Sequence, residues 1–216
     1  MQLTRLGHAA LLVETPSARL LIDPGIYTED WHEVVGLDAV LVTHQHPDHV
    51  DAANLAGLLA GNRSARLVTE AAVAPLLAEH GLDAEVAAPG ANFALAAVRV
   101  DVVGGLHAVI HQRIPRVGNV GYVVSEPDGP RLFHPGDAYD TVPAGVDVLA
   151  LPLAAPWASA AATADFLTAV APAEAVPIHD GALNATGWEL YLRIIGGLAD
   201  PTITLHHLDP AGTLAL

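Results

Sequence analysis

The 216 residues are 52% hydrophobic and 15% charged, a balance that suits one large domain over 1–216 and excludes a disordered chain. The formal charge is −15, with nine arginines, no lysine and 24 acids, which argues against a nucleic-acid partner held by bulk charge. There is no cysteine, so disulfides, thiolate ligands and a cysteine nucleophile are excluded.

Residues 10–15 and 19–23 are apolar runs about Pro16-Ser17 and predict a hairpin. Residues 38–43 form a continuous apolar run, the kind of strand that is buried on both faces. Asp51 suits the start of a helix over 51–60, with Leu55, Leu58 and Leu59 on one side. A strand over 66–69 and a helix over 70–79, ended by Gly81, follow. Val98, Val100 and Val102 alternate with Arg99 and Asp101, a period-2 strand with one wet face. Residues 120–125 and 131–133 predict a second hairpin, turning at Pro127-Asp128-Gly129. Strands over 147–151, 175–178 and 202–205 and helices over 160–170 and 188–198 complete the chain. Residues 36–43 and 145–152 echo each other as turn, aspartate, apolar strand and loop. Two similar β/α halves would explain this, as would the chance likeness of short apolar strands. No basic stretch with a long apolar block opens the chain, and no apolar run reaches the roughly 18–20 residues of a membrane helix. The expectation is a cytoplasmic protein with no membrane partner.

The chemistry concentrates at His44-Gln45-His46-Pro47-Asp48-His49, directly after the apolar run at 38–43. No packing rule calls for three imidazoles and a carboxylate there. His44 and His46 alternate by two, so an extended backbone puts both rings on one face. Asp48 and His49 follow the turn at Pro47 and can serve a neighbouring position. Nitrogen and oxygen donors without sulfur suit zinc, manganese or iron(II). More donors stand at strand ends beside glycine: Asp23 before Pro24-Gly25, His107 after Gly104-Gly105-Leu106, Asp137 after Gly136, and His179 before Asp180-Gly181. Glycine lets the backbone turn sharply next to a ligand.

With these residues in this order, the chain resembles the metallo-β-lactamase superfamily over almost its whole length. Leu6-Gly7-His8-Ala9-Ala10, Pro156-Trp157 and Pro177-Ile178-His179-Asp180-Gly181 resemble its L-ascorbate-6-phosphate lactonase-like branch. The resemblance implies a four-layer αβ/βα sandwich with its site at one edge of two packed sheets. It implies two divalent metal ions, zinc first, with manganese or iron as alternatives. His44, His46 and His107 would hold one ion, and Asp48, His49 and His179 the other. Asp137 would bridge them, and Asp23 would orient a ligand histidine from behind. A dimetal pair lowers the pKa of a shared water and supplies hydroxide at neutral pH, with Asp48 holding that water. The implied activity is hydrolysis of a small ester, lactone or phosphoester. The absence of a Thr-Pro-Gly-His-Thr type segment around His107 argues against glutathione-thioester hydrolysis, and Asp137 in place of cysteine disfavours a true β-lactamase site.

Several residues keep two readings. His8 lies beside the site or simply packs, and His111 is a rival to His107. His134 is a ligand or a hydrogen-bonded strand-end residue. Arg113 and Arg116, on the loop after His107, grip an anionic small-molecule substrate or are surface counter-charges. Trp157 forms a pocket wall or packs. Two other functions share the same ligands: an iron-dependent oxidoreductase, and a non-catalytic metal-binding regulatory protein. Oligomeric state cannot be read.

Overall fold

The computed structural model describes residues 1–209 and 211–216. In chain order it runs β1 (Gln2–Gly7), β2 (Ala10–Glu14), β3 (Arg19–Ile22), β4 (Ala39–Val42), α1 (Ala52–Gly61), β5 (Arg66–Thr69), α2 (Val73–Ala78) and β6 (Glu85–Val86). It continues with β7 (Asn92–Leu95), β8 (Val98–Leu106), β9 (Gly118–Ser125), β10 (Leu132–His134), β11 (Val148–Pro152), α3 (Ala160–Val170), β12 (Glu174–Ile178), α4 (Ala185–Leu198), β13 (Thr204–Leu205) and β14 (Thr213–Ala215).

The strands form two sheets, ordered β14-β1-β2-β3-β4-β5-β6 and β13-β12-β11-β10-β9-β8-β7. Each is antiparallel at one end and parallel at the other. In the first sheet β1, β2 and β3 pair antiparallel, whereas β3, β4, β5 and β6 run parallel. In the second, β7 to β10 are antiparallel and β10 to β13 parallel. β4 and β11 therefore occupy equivalent places, each the first parallel strand after an antiparallel run. The echo between residues 36–43 and 145–152 falls on this pair.

Period-2 side-chain alternation sets the layers. Leu20, Ile22, Ala39 and Leu41 of one sheet meet Val100, Tyr122, Val148 and Val176 of the other in a central core. Their neighbours Leu21, Val40 and Val42 face outward onto Leu55, Leu58 and Leu77 of α1 and α2. Leu149 and Leu151 face outward onto Phe166 and Leu167 of α3 and Ile195 of α4. Both faces of the parallel strands are covered, so those strands read as continuous apolar runs. The result is the expected four-layer αβ/βα sandwich.

Boundaries differ where side chains intervene. The helix expected over 70–79 begins at Val73, because Glu70 takes the Ala72 amide on its own carboxylate at 2.8 Å and holds a turn instead. α4 starts three residues before Trp188, because the Asn184 side chain caps it by accepting the Gly187 amide at 2.8 Å. β8 runs on from Val102 to Leu106 through Gly104 and Gly105, with φ of +79° and +158°. β6 and β14, of two and three residues with mostly exposed side chains, carry too little pattern to be anticipated. Among the described residues no helix is long and apolar enough to cross a membrane.

Candidate metal centre

The polar donors gather at one edge of the two sheets, on loops that leave β1, β3, β4, β8, β10 and β12. Tight backbone places them. Three of the non-glycine residues with positive φ lie here: His8 at 47°, Asp23 at 51° and His179 at 62°. Such conformations cost free energy in side-chain-bearing residues and persist where the surroundings over-determine them. Loop 23–26 is zipped to loop 47–51 by Ile26 N–H to Pro47 O and Asp51 N–H to Pro24 O, both 2.9 Å. Gly25 sits in this seam, where an added Cβ would lie 1.9 Å from the Asp48 carbonyl oxygen. No side chain fits there.

His44, His49, His107 and His179 are each held by Nδ1 so that Nε2 points inward. Asp23, fully buried, accepts from the Thr43 amide and the Thr43 hydroxyl, both at 2.7 Å, and from His49 Nδ1 at 2.7 Å. The same hydroxyl lies 3.0 Å from His44 Nδ1, so Asp23 orients His49 directly and His44 through Thr43. His107 Nδ1 donates to the Ala108 carbonyl at 2.7 Å and His179 Nδ1 to the Ala154 carbonyl at 2.8 Å. These bonds fix tautomer and ring direction. His44 Nε2 and His46 Nδ1 face each other at 3.1 Å.

Asp137 stands in the middle. Its Oδ2 is 3.3 Å from His107 Nε2 and 3.9 Å from His44 Nε2, while its Oδ1 is 3.1 Å from His49 Nε2 and 3.2 Å from His179 Nε2. The donors thus fall into two groups with mutually close ligand atoms, His44-His46-His107-Asp137 and His8-Asp48-His49-His179. Asp48 Oδ2 is 3.6 Å from His179 Nε2 and 3.9 Å from His49 Nε2. His8 belongs to the second group by distance only. Its Nδ1 accepts the Gly181 amide at 2.9 Å, so its Nε2 carries the proton and donates to Asp48 Oδ2 at 3.1 Å.

Four of these inward atoms, His49 Nε2, His107 Nε2, His179 Nε2 and Asp137 Oδ1, are buried with no hydrogen-bond partner; the short contacts among them are misaligned. Leaving a buried polar group unsatisfied costs roughly 1–3 kcal/mol, so four would cost a large part of the about 5–15 kcal/mol that stabilises a domain. The donor set fits divalent cations, and the orphaned atoms are the observation that says so.

In the absence of an ion the charges divide unevenly, and a cation at His49 would have to displace a proton. Burial opposes a proton on His49, but the facing carboxylates of Asp137 and Asp23 outweigh it and raise its pKa well above the usual histidine range. Burial likewise would raise the Asp137 carboxyl, yet His49 and the surrounding imidazoles hold it well below the ordinary value. Burial keeps His44 and His46 below the usual range, and neutral imidazole is the form that binds metal. For Asp48 burial again pushes upward, and the His8 hydrogen bond with the nearby His49 charge brings the carboxyl down to about 2.

The remaining anticipated residues lie in varied places. Trp157 approaches the cluster edge-on, with ring centroids 6.0 Å from His107 and 6.2 Å from His179, and its indole N–H donates to Asp137 Oδ2 at 2.8 Å. It packs on Tyr139 at 4.8 Å. Arg116 donates its Nε–H to the His107 carbonyl oxygen at 2.6 Å, lies 3.5 Å from Asp140, and lines a narrow cleft beside His46 and His107. The Arg113 side chain is exposed. His111 is exposed and accepts the Arg113 amide, apart from the cluster. His134 donates from Nε2 to the Ala9 carbonyl and accepts the Gly136 amide at Nδ1, which leaves it no free nitrogen. Thr43, which relays Asp23 to His44, escaped sequence reasoning. Asn119, open in the sequence between a turn residue and a polar contact, clamps the Asp137 loop by accepting the Asp137 amide and donating to the Pro135 carbonyl, both at 2.9 Å.

The sequence pattern of the beta-lactamase superfamily domain matches residues 2–179. The chain belongs to the metallo-β-lactamase superfamily. Within it the chain is a member of the UPF0173 metal-dependent hydrolase family. It is 30% identical over 195 residues to a UPF0173 metal-dependent hydrolase of Opitutus terrae, covering 83% of this chain and 84% of that one. It is 43% identical over 205 residues to protein Rv0786c of Mycobacterium tuberculosis, with 94% of both chains covered. In fold it is similar to Igni18, a metallo hydrolase of Ignicoccus hospitalis, with a TM-score of 0.72, 19% identity and 99% and 97% of the two chains covered. In this metallo-β-lactamase domain the residues matched by the family pattern include every member of the two donor groups.

Proposed function

We propose that this metal-dependent hydrolase works through a pair of divalent ions, one held by His44, His46 and His107, the other by Asp48, His49 and His179, with Asp137 between them. The two-sided approach to Asp137, imidazoles of one group on Oδ2 and of the other on Oδ1, carries this reading. Two divalent ions so held would lower the pKa of a water and polarise the oxygen of an ester, lactone or phosphoester. The chain's own residues do the rest. Asp23 and Thr43 keep the histidines in the metal-binding tautomer. His8 aims Asp48, whose ionised carboxylate at the mouth can accept a proton from the attacking water. Trp157 steadies Asp137 by donating to one of its oxygens. Zinc is the first candidate on donor type, ahead of manganese and iron.

The test is metal analysis of the purified protein together with hydrolysis assays on lactones, phosphodiesters and thioesters in zinc and in manganese. Two metals per chain and metal-dependent turnover are expected. A natively folded protein that takes up no metal overturns the reading. Chelation should also lower thermal stability. With free metal at a thousand times Kd, loss of binding removes about 4 kcal/mol, or roughly 8–16 °C in Tm for a chain this size. An unchanged melting curve in chelator would count against an ion-filled centre. Replacing Trp157 with phenylalanine keeps the ring and removes the hydrogen bond. Metal affinity, measured against a competing chelator, is expected to fall about 10–100-fold, as for other groups that support metal ligands. Unaltered affinity would reduce Trp157 to packing.

A further inference from the structure

Residues 179–181 are tied one after another to the end of β1. The His179 amide donates to the His8 carbonyl at 2.8 Å, and the Gly181 amide to His8 Nδ1 at 2.9 Å. Between them, Asp180 Oδ2 accepts the Nη2–H of Arg5. His8 Nε2 also donates to Asp48 at 3.1 Å, so the segment Arg5–His8 holds two ligands of the second donor group, Asp48 and His179. β1 carries a bulge between Arg5 and Gly7, a device that re-aims side chains next to functional sites. His8 and His179 both have positive φ, a backbone state that lasts only where neighbouring bonds enforce it.

Packing does not call for the Arg5–Asp180 pair. Arg5 follows Leu3 on the face of β1 that turns into the core between the sheets, and it is 2% exposed. An ion pair buried there is a weak stabilising device, because lost hydration offsets the attraction. This one is also incompletely satisfied, since Arg5 Nε and Asp180 Oδ1 are buried without partners. The guanidinium is fixed from its far side: Nη1 reaches the Leu208 carbonyl at 3.3 Å, and the Trp188 ring centroid lies 5.0 Å away. Beside Asp180 a cleft of about 380 Å³ opens, lined by Leu183, Trp188, His207 and Asp209. The Asp180 carboxylate is therefore held by the guanidinium and not by close packing around it.

We infer that Arg5 is a positioning residue for the second ion alone: its pair with Asp180 holds residues 179–181 so that His179 presents Nε2 to the centre. This rests on the two-ion reading given above. The rival account gives Arg5 only a general task, tying the C-terminal segment and α4 to β1. The two accounts differ in which ion feels the loss of the pair.

The experiment titrates zinc into the full chain against a competing chelator. Arg5→Met combined with Asp180→Asn removes both charges and strands neither in the interior. One of the two ions should then bind about 10–100-fold more weakly, as when other groups that support metal ligands are lost, and the other with wild-type affinity. On a His179→Ala background, where the second seat is already broken, the same double change should leave the affinity of the remaining ion unaltered. Asp180→Asn alone, at a side chain 22% exposed, keeps an oxygen for Arg5 and should weaken the same single ion to a smaller degree. That variant decides the matter if the double one does not fold. Unchanged binding of both ions, or equal loss at both seats, overturns the inference and leaves the hydrolase intact. A folded wild-type chain that takes up fewer than two zinc ions overturns the two-ion reading and the inference with it.

Discussion

Asp137→Asn is expected to remove hydrolysis almost entirely. The substitution keeps the shape of the side chain and an oxygen for Trp157, but it deletes the charge on which both groups of imidazoles converge. Asp137 Oδ1 lies within 3.2 Å of His49 and His179, and Oδ2 3.3 Å from His107. Lewis-acid stabilisation is worth several kcal/mol, and each 1.4 kcal/mol is about tenfold in rate, so the loss should be on the order of a thousandfold or more. Metal content should drop from two ions toward one or none. His49 should change too, because Asp137 is the leading influence that raises its pKa against burial. Elemental analysis and kcat/KM on one preparation, with circular dichroism to confirm folding, check the result. A variant with two ions and near-normal turnover would remove Asp137 from the bridging role.

Asp48→Asn should separate chemistry from metal holding. The carboxylate sits at the half-open mouth, 3.1 Å from His8 Nε2, and is farther from His49 and His179 than Asp137 is. The buried histidines should keep most of the metal. Without a charged acceptor for the proton of the attacking water, the rate should fall by about 10²–10⁴. The sign of the pH effect follows from the position of the carboxyl. At about 2 it is ionised at every pH near neutrality, so the wild-type activity profile should show no limb from Asp48 above about pH 4. A near-normal rate in the asparagine variant would take Asp48 out of the mechanism.

How much of this was legible in the sequence depended on what kind of fact each feature is. β4 and β11 are buried on both faces, so their apolar runs stand out, and the donors that follow β4 are conspicuous because packing has no use for them. His44, His46 and His49 share one loop, and Asp23, His107, Asp137 and His179 each stand beside a turn, so strand-end chemistry was readable. Edge strands such as β6, with two exposed residues, bury too little to leave a pattern. Trp157 and Arg116 were noticed as candidates for the substrate, but their hydrogen bonds to Asp137 and to the His107 carbonyl are tertiary facts with no local signature. Thr43 was passed over because one threonine beside a histidine is common. Its value comes from Asp23, twenty residues away along the chain and adjacent only after β3 and β4 pair. The branch-level resemblance drew on short motifs, and the matches reach only the superfamily and the UPF0173 metal-dependent hydrolase family.

Each donor group draws from both sheets. His44 and His46 leave the first sheet and meet His107 and Asp137 from the second; Asp48 and His49 meet His179 across the same line. A cation seated in either group would act as a rivet through the sandwich, tying segments more than fifty residues apart. Its seat cannot exist until the two sheets have docked. Ion uptake should therefore be a late event in the maturation of this protein, and its rate a gauge of how completely the halves have come together.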